Sequence, residues 1–389
     1  SVCGDDERAD CEHALDCAAE LEAGSDYRLH PGDRRVALTD AGRARIADWA
    51  EGRPGLWRSA RAREELVYQA LTARAFFRRD QHYVVADGKV VIVDESTGRV
   101  MPDRSWERGL HQMIEAKEGC ELSDRRETLA RITYQRLFRR YLRLAGMTGT
   151  GREVAREIRD VYRLDVVDVP LNKPSRRQDL GACLVRTRAE KWKRVAAAAE
   201  RLASQGRPVL VGTRSVAASE ELSAELAARG VAHALLNAKQ DREEAEIIAR
   251  AGEAGRVTVA TNMAGRGTDI ALGEGVAEAG GLHVILTEYH ESARIDRQLF
   301  GRCARQGDPG SCEAVVSLED ELFQAHAPAL VQLALAKLAP GGVETGATLA
   351  ALRAAAQAAA GRRAFEARSQ NLKLDRRLEK LLAFSGGSE

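Results

Sequence analysis

The sequence predicts an α/β protein: a doubly wound parallel sheet, preceded by a small α+β domain and followed by a helical segment. Two observations lead there. From about residue 166 onward, strand-like apolar runs alternate with helical runs, and strands such as "PVLVGT" (residues 208–213) are apolar on consecutive positions, as strands covered on both faces are. Ahead of that region, β-branched pairs flank turn-type residues, the mark of antiparallel hairpins.

The first 123 residues read as the α+β domain. Cys3, Cys11 and Cys17 lie near His13 at its start. They lack zinc spacing, so the segment is read as polar and partly disordered rather than as a metal site. "YRLHPGDRRVALT" (Tyr27–Thr39) predicts a hairpin around Pro31-Gly32-Asp33. "HYVVADGKVVIVDE" (His82–Glu95) predicts another around Asp87-Gly88, a two-residue turn that favours positive φ. Helices are expected near Arg61–Arg78 and Ser105–Glu118.

Residues 124 to about 165 read as helix, then "AGMTGT" (Ala145–Thr150), then helix. Leu129, Ile132, Leu137, Tyr141 and Leu144 give the first of these a helical period across Glu127–Leu144. The piece is too short to be a domain.

From about 166 to 330 the strands are expected at Ala182–Thr187, Pro208–Thr213, Ala232–Asn237, Arg256–Asn262, Leu282–Thr287 and Glu313–Ser317. Helices are expected at Arg188–Ser204, Ser215–Arg229, Arg242–Ala251 and Ser292–Gln306. Residues 331–389 are rich in Ala, Leu, Arg and Gln; Leu374, Leu378, Leu381 and Leu382 follow helical spacing before the tail "SGGSE". Packing of one helix along the domain is expected there, in preference to a membrane-surface helix.

Composition narrows the function. Lys+Arg is 59 and Asp+Glu 58 in 389 residues, a balance that argues against a protein built mainly to neutralise nucleic-acid phosphates. No run of 18 or more apolar residues is present. No signal-peptide pattern opens the chain, and a first residue of Ser rather than Met suggests that the natural start is missing. Seven scattered cysteines without a CxxC pair fit a reducing, cytosolic setting.

The chemistry concentrates at strand ends. "RVTVA" (Arg256–Ala260) runs into "TNMAGRGTDI", where Gly265 and Gly267 flank Arg266 and are followed by Thr268 and Asp269. In "QLFGRCARQGDPGS" (Gln298–Ser311), a helix is expected to carry Arg302, Arg305 and Gln306 at its end, with the two arginines on one face. "VGTRS" (Val211–Ser215) ends a third strand of the same sheet. Taken singly, each arginine is best read as a surface ion pair with Asp269, Asp308 or Glu288. Taken together, with glycines allowing close backbone approach, they point to a polyphosphate. Asp269 is then the acceptor that positions an arginine, a ribose hydroxyl or a water.

The order of these segments is that of the second RecA-like domain of helicase-type motors, in which arginines reach across a cleft to a γ-phosphate. The half that would hold the nucleotide is not evident. No G-x-x-x-x-G-K-[ST] occurs, "GMTGT" has no lysine, and "VDEST" (Val93–Thr97), the nearest approach to a magnesium-binding acidic box, lies in a hairpin.

"NMAGRGTDI", "GLHVILTEYHESARIDRQLFGRCARQGDPGS", "LAGMTGT" and "IVDESTGRVMPDRSWERGLHQMIEAKEG" resemble SecA, the motor of bacterial protein secretion, and the likeness runs from about Tyr27 to about Phe323. The resemblance implies four regions. Residues 1–123 would be the preprotein-crosslinking domain, incomplete at its N-terminal end. Residues 124–165 would be the returning piece of the first nucleotide-binding domain, with Thr148, Gly149 and Thr150 as coupling residues. Residues 166–330 would be the second nucleotide-binding domain, and residues 331–389 the start of the helical scaffold and a flexible tail. It further implies Arg266, Arg302 and Arg305 as catalytic arginines and Gly265, Gly267, Thr268, Asp269 and Gln306 as nucleotide-binding residues.

The cofactor implied is ATP with Mg2+, bound mainly by a first nucleotide-binding domain, with no zinc. The implied partners are unfolded preprotein, the Sec channel at the inner membrane and that first domain, with room for a homodimer and no role for nucleic acid. The implied location is cytoplasmic, peripherally attached to the inner membrane. ATP binding would close the two motor domains and swing the crosslinking domain, whose clamp would take polypeptide by strand addition. The bulk of the first nucleotide-binding domain, the helical wing, the two-helix finger and the zinc tail have no counterpart here, and Cys303-Ala304 stands where the family carries small residues such as Ser-Gly. By itself the chain is expected to bind nucleotide weakly and not turn it over. Two other readings stand beside this one: a non-catalytic SecA-like protein-binding module, which a natural truncation would give, and a nucleic-acid helicase core, which 5% aromatic content and the α+β domain disfavour.

Overall fold

The computed structural model describes residues 5–30, 34–94, 100–124, 132–236, 244–261 and 268–384. The turn Pro31-Gly32-Asp33, the box-like Glu95–Thr97 and the start of the helix expected from Glu127 lie outside the described residues, as do Gly265, Arg266 and Gly267.

The N-terminal region is a helical core with two small sheets. Helix α1 (Asp5–Glu20) replaces the disordered segment expected there. Cys11, Ala14, Cys17, Ala18 and Leu21 form a buried stripe on it, because a free cysteine packs as a small hydrophobe. Strands β1 (Tyr27–His30) and β2 (Arg35–Leu38) pair antiparallel. After them come α2 (Asp40–Trp49) and α3 (Ala60–Phe76), each opened by a side-chain N-cap, Thr39 and Ser59. Strands β3 (Tyr83–Ala86), β4 (Lys89–Val93) and β5 (Val100–Met101) form the second sheet. Asp87 and Gly88 both have positive φ, 51° and 73°, as the predicted two-residue turn requires. Helix α4 (Leu110–Lys117) closes this core around Trp57, Ile46, Tyr83 and Met113.

Between the two large units, order is sparse. Among the described residues here are α5 (Tyr134–Phe138), a 3-10 turn at Arg152–Val154 and α6 (Ala155–Tyr162), so the long helix expected to run to Leu144 is one short turn. Tyr134, Tyr141 and Leu142 are exposed, and a helix whose apolar face is not packed lacks the contacts that stabilise helices of this length.

The third part is a six-stranded, all-parallel sheet in the order β6-β11-β10-β7-β9-β8. Its strands are β6 (Arg176–Val185), β7 (Val209–Thr213), β8 (His233–Leu236), β9 (Val257–Thr261), β10 (Leu282–Leu286) and β11 (Pro309–Ser317). Helices α7 (Arg188–Ser204) and α8 (Val216–Ala228) cover one face through Val195, Leu202, Leu222 and Leu226. On the other face lie α9 (Glu244–Ala249) and α10 (Ala293–Phe300), against Leu210, Leu236, Val284 and Cys312. Helices α11 (Glu321–His326), α12 (Pro328–Lys337) and α13 (Ala347–Phe384) add a further core with Leu184, Leu286 and Val316. The first half of α13 packs through Leu349, Leu352, Ala356 and Ala360, while Leu374 is exposed. This is the RecA-like α/β arrangement the sequence predicts, with an N-terminal α+β region and a C-terminal helix.

The helix expected over Ser292–Gln306 ends early. Helix α10 stops at Phe300, with Gly301 as its C-cap. Ala304 and Gln306 then take left-handed φ values of 55° and 56°, and β11 begins at Pro309, four residues ahead of the predicted Glu313. The chain turns back on itself within this short span so that β11 can pair with β10 from Gly310 onward.

Candidate functional site

The residues singled out in the sequence meet beside the amino ends of β10 and β11. Strand β9 ends at Thr261, and Thr268 and Asp269 follow it in the chain. The loop after α10 reaches the same place from the other side. Arg302 and Arg305 do not share a helix face, since the helix has ended, yet both side chains turn to this pair. Arg302 Nη1 donates to the Thr268 carbonyl at 3.3 Å. Arg305 Nη1 meets Asp269 Oδ1 at 2.9 Å, while its Nε donates to the Gly301 carbonyl at 2.9 Å.

The two arginines differ in exposure. Arg302 is buried, at 8%. The Arg305 side chain is 38% exposed and faces Asp269, 60% exposed. An exposed guanidinium whose partner is an exposed carboxylate can exchange that partner for another anion at little desolvation cost. A phosphate oxygen suits such a fork. The Asp269 carboxylate also accepts from the backbone N–H of Ile270 at 3.1 Å, which fixes its orientation. Gln306 is exposed in the left-handed turn beside Arg305.

The segment Thr148-Gly149-Thr150 touches the same helix. The Thr148 and Thr150 hydroxyls lie 3.3 Å apart, and the Thr150 N–H donates to Thr148 Oγ1 at 3.2 Å. Thr150 is buried, and Gln298 on α10 donates to its hydroxyl at 3.2 Å. Arg297 and Glu153 form an ion pair one residue away on α10. Helix α10 therefore joins Thr150 at its side to Arg302 and Arg305 at its end.

Sequence reasoning missed Gln298, Arg297 and Glu153. It also missed a buried group that ties α10 to α13. His290 Nδ1 lies 2.8 Å from Asp296 Oδ1, and Gln357 Nε2 donates to Asp296 Oδ2 at 2.8 Å and to the His290 carbonyl at 2.9 Å. Arg353 lies over the Tyr289 ring at 4.3 Å, and burial pushes the Tyr289 hydroxyl up to about 12. A carboxylate four residues into a helical run gives no signal for a glutamine 61 residues away.

The N-terminal region meets the sheet domain at the carboxyl ends of its strands, where Arg214 follows β7, Glu288 follows β10 and Glu321 follows β11. Gln81 donates to Glu321 at 2.8 Å, and the Ala217 N–H donates to the Asp80 carbonyl at 3.2 Å. Val84 and Val93 bury against Val216. A cavity of about 550 Å³ lies at this junction, lined by Leu29, Phe76, Arg78, Trp192, Arg214 and Gln324 among others.

Comparison with known proteins agrees with this layout. The SecA preprotein cross-linking domain family matches residues 6–115, and the SecA P-loop domain family matches residues 174–277 and 273–340. "Protein translocase subunit SecA 2" of Nitrosospira multiformis is 52% identical over 380 residues, 98% of this chain and 57% of that protein. The protein of the same name from Bordetella avium is 52% identical over 377 residues, 96% of this chain and 56% of its own length. "Protein translocase subunit SecA" of Nitratidesulfovibrio vulgaris is 48% identical over 313 residues, 80% of this chain and 38% of that protein. The chain thus spans a little over half the length of the SecA 2 relatives it matches. With both SecA domain families in order and this identity along nearly its whole length, the chain belongs to the SecA family.

Proposed function

We propose that this chain is the arginine-finger half of an ATP-driven preprotein translocase. The observation that carries the proposal is the meeting of Arg302 and Arg305 with Thr268-Asp269, where an exposed guanidinium is held by an exposed carboxylate. Arg302 fixes the strand-end backbone. Arg305 is the mobile finger, held by Asp269 until the γ-phosphate of ATP replaces the carboxylate. By the resemblance in sequence alone, Arg266 is assigned to the same site and Gly265, Gly267 and Gln306 to its phosphate. A finger of this kind contributes roughly 10³–10⁵ in rate by stabilising charge in phosphoryl transfer.

ATP with Mg2+ is gripped mainly by a first nucleotide-binding domain. Support for that partner is the run of exposed apolar side chains leading into the sheet domain: Tyr141, Leu142, Met147, Val167, Val169 and Leu171. A stretch of this kind marks a surface that another domain covers. Thr148, Gly149 and Thr150 lie within it and pass the closing motion to α10 through Gln298.

Unfolded preprotein occupies the cleft where the N-terminal region meets the sheet domain. The polypeptide then passes to the Sec channel, with the motor on the cytoplasmic side and attached peripherally to the inner membrane. No helix among the described residues is long and apolar enough to cross a membrane. The test is an ATPase assay of this chain joined to a nucleotide-holding SecA domain, with and without unfolded polypeptide. Arg305→Ala should lower turnover by at least about a hundredfold, and the 389-residue chain alone should show none. Unchanged turnover in Arg305→Ala, or hydrolysis by the chain alone, would overturn the reading.

A further inference from the structure

We propose that Cys303 and Cys312 form a reversible disulfide site that fastens the Arg305 loop to β11. Both thiols are buried, at 3% and 1%, in one apolar cluster between α10 and the sheet. Each thiol is the leading electrostatic neighbour of the other. The backbone agrees with that contact: a Cβ built on Gly310 would stand 3.0 Å from Cys303 Cβ. Cys312 lies two residues along the same strand and so points to the same side of the sheet as that Cβ. The Cys303 thiol also donates to the Phe300 carbonyl at 3.2 Å, which aims it along the end of α10. A disulfide needs its sulfurs at about 2.05 Å and its Cβ atoms about 3.5–4.5 Å apart, and the Cys303 loop is the element that would shift to meet β11.

The enclosed loop contains Arg305, Gln306 and the left-handed Ala304. It is held from outside by the Arg305–Asp269 pair, which is solvent-exposed and therefore weak. Opening that pair exposes the thiols, so the loop admits a small oxidant while the rest of the core stays shut.

The oxidant is a peroxide. Cys312, whose thiol is pulled below its usual range by the neighbouring Cys303, attacks one peroxide oxygen as the thiolate. The O–O bond breaks, Cys312 becomes a sulfenic acid, and the departing hydroxide takes a proton to become water. Cys303 then attacks the Cys312 sulfur, the S–O bond breaks, and the second hydroxide leaves as water with the Cys303 proton. Two thiols lose two electrons, one peroxide gains them, and two waters result. A dithiol reductant reverses the bond.

The bond acts on the site because it ties the residue after Arg302, and two before Arg305, to a strand that cannot move. Loss of finger motion lowers turnover; this half of the proposal rests on the function proposed above. The structural half does not. The experiment oxidises the purified chain with hydrogen peroxide, blocks the remaining thiols, and digests with trypsin without reductant. Trypsin cuts after Arg302 and after Arg305, so the expected product is peptide 303–305 joined to peptide 306–337, with two of the seven thiols lost. Dithiothreitol should separate the pair. Asp269→Asn, which loosens the loop, should speed the reaction.

Failure to find the joined peptides, with thiols intact or lost elsewhere, overturns the site. In the chain joined to a nucleotide-holding domain, peroxide should lower ATPase activity at least about tenfold, and dithiothreitol should restore it. Cys312→Ser should be insensitive. Joined peptides with unchanged ATPase activity overturn the regulatory half alone. No ATPase activity in the reduced protein counts against the proposed function and leaves the disulfide site standing.

Discussion

Gln298 and Thr150 lie 148 residues apart in the chain, and the Gln298 amide donates to the Thr150 hydroxyl at 3.2 Å. The contact matters because of what each residue is joined to. Thr150 ends the Thr148-Gly149-Thr150 turn, which sits among exposed apolar side chains. Gln298 lies on the helix whose exit carries Arg302 and Arg305. A displacement of the turn is thus handed to the arginines by one helix less than three turns long.

A double-mutant cycle tests whether that contact couples the two segments. Thr150→Val and Gln298→Leu each remove one partner, and Thr150 is buried, so an unpaired group is left in either single variant. The pair should show a coupling of roughly 0.5–1.5 kcal/mol in denaturant unfolding. Additive effects would mean that the hydrogen bond contributes nothing, and that the adjacent Arg297–Glu153 ion pair alone joins the segments.

Much of this was legible in the sequence. Asp87-Gly88 announced its hairpin because the turn needs positive φ at both positions, and few residue pairs tolerate that. The strands of the parallel sheet were legible because residues such as Val209, Leu210 and Val211 are buried on alternate faces and must all be apolar. The end of α10 was not legible. Cys303 and Ala304 suit a helix, and the break comes from the return of β11 against β10, a tertiary demand that propensity cannot report. The candidate site came out in part. Residue type and order singled out Asp269, Arg302 and Arg305, which the structure brings together, but gave no sign of Gln298 or of the Asp296–Gln357 bond. A polar residue on a helix reads the same from sequence whether it faces water or a distant partner.

Lys191 and Asp320 form the most enclosed ion pair among the described residues, at 2.5 Å with side-chain exposures of 2% and 1%. Asp320 also accepts from the backbone N–H and the hydroxyl of Ser317, so its remaining lone pairs are used. Lys191→Met should cost about 3–5 kcal/mol, because it strands a buried carboxylate. Lys191→Met combined with Asp320→Leu should recover part of that loss, since a matched apolar pair removes both charges. The measurement is the denaturant midpoint of the three proteins. A double variant no more stable than Lys191→Met would show that Ser317, rather than the charge pair, sets the cost.

Gly281 precedes β10 with φ 71°, and a Cβ there would lie 1.9 Å from the Pro309 carbonyl oxygen. That approach lets β10 and β11 start side by side, directly under the Cys303–Cys312 region. Gly281→Ala should destabilise by more than about 1 kcal/mol, since it adds both a clash and a disfavoured φ. Gly146→Ala meets no atom within 4 Å and should shift stability by less than about 0.5 kcal/mol. Thermal unfolding of both variants decides the point, and equal midpoints would refute it.

The stability of the N-terminal core should fall in alkali, and Cys17 sets where. Its thiol is buried on α1, and burial first, then the charge of Glu20, push it from 9.0 to about 11. The folded protein therefore holds this proton more tightly than the unfolded chain does. Below pH 9 both states are protonated and the contribution is whole. Between pH 9 and about 11 the unfolded chain releases its proton while the folded protein keeps it, so the folded state binds more protons and stability falls as pH rises. The loss ends once the folded thiol has also ionised. Cys17→Ala removes the titrating group. Its absolute stability at about pH 8 should be lower, because a buried atom is lost, but the drop in thermal midpoint from about pH 8 to about pH 10.5 should be smaller than in the parent. An unchanged drop would assign the alkaline sensitivity to other groups, with Tyr289, pushed up to about 12 in the sheet domain, the next to be replaced.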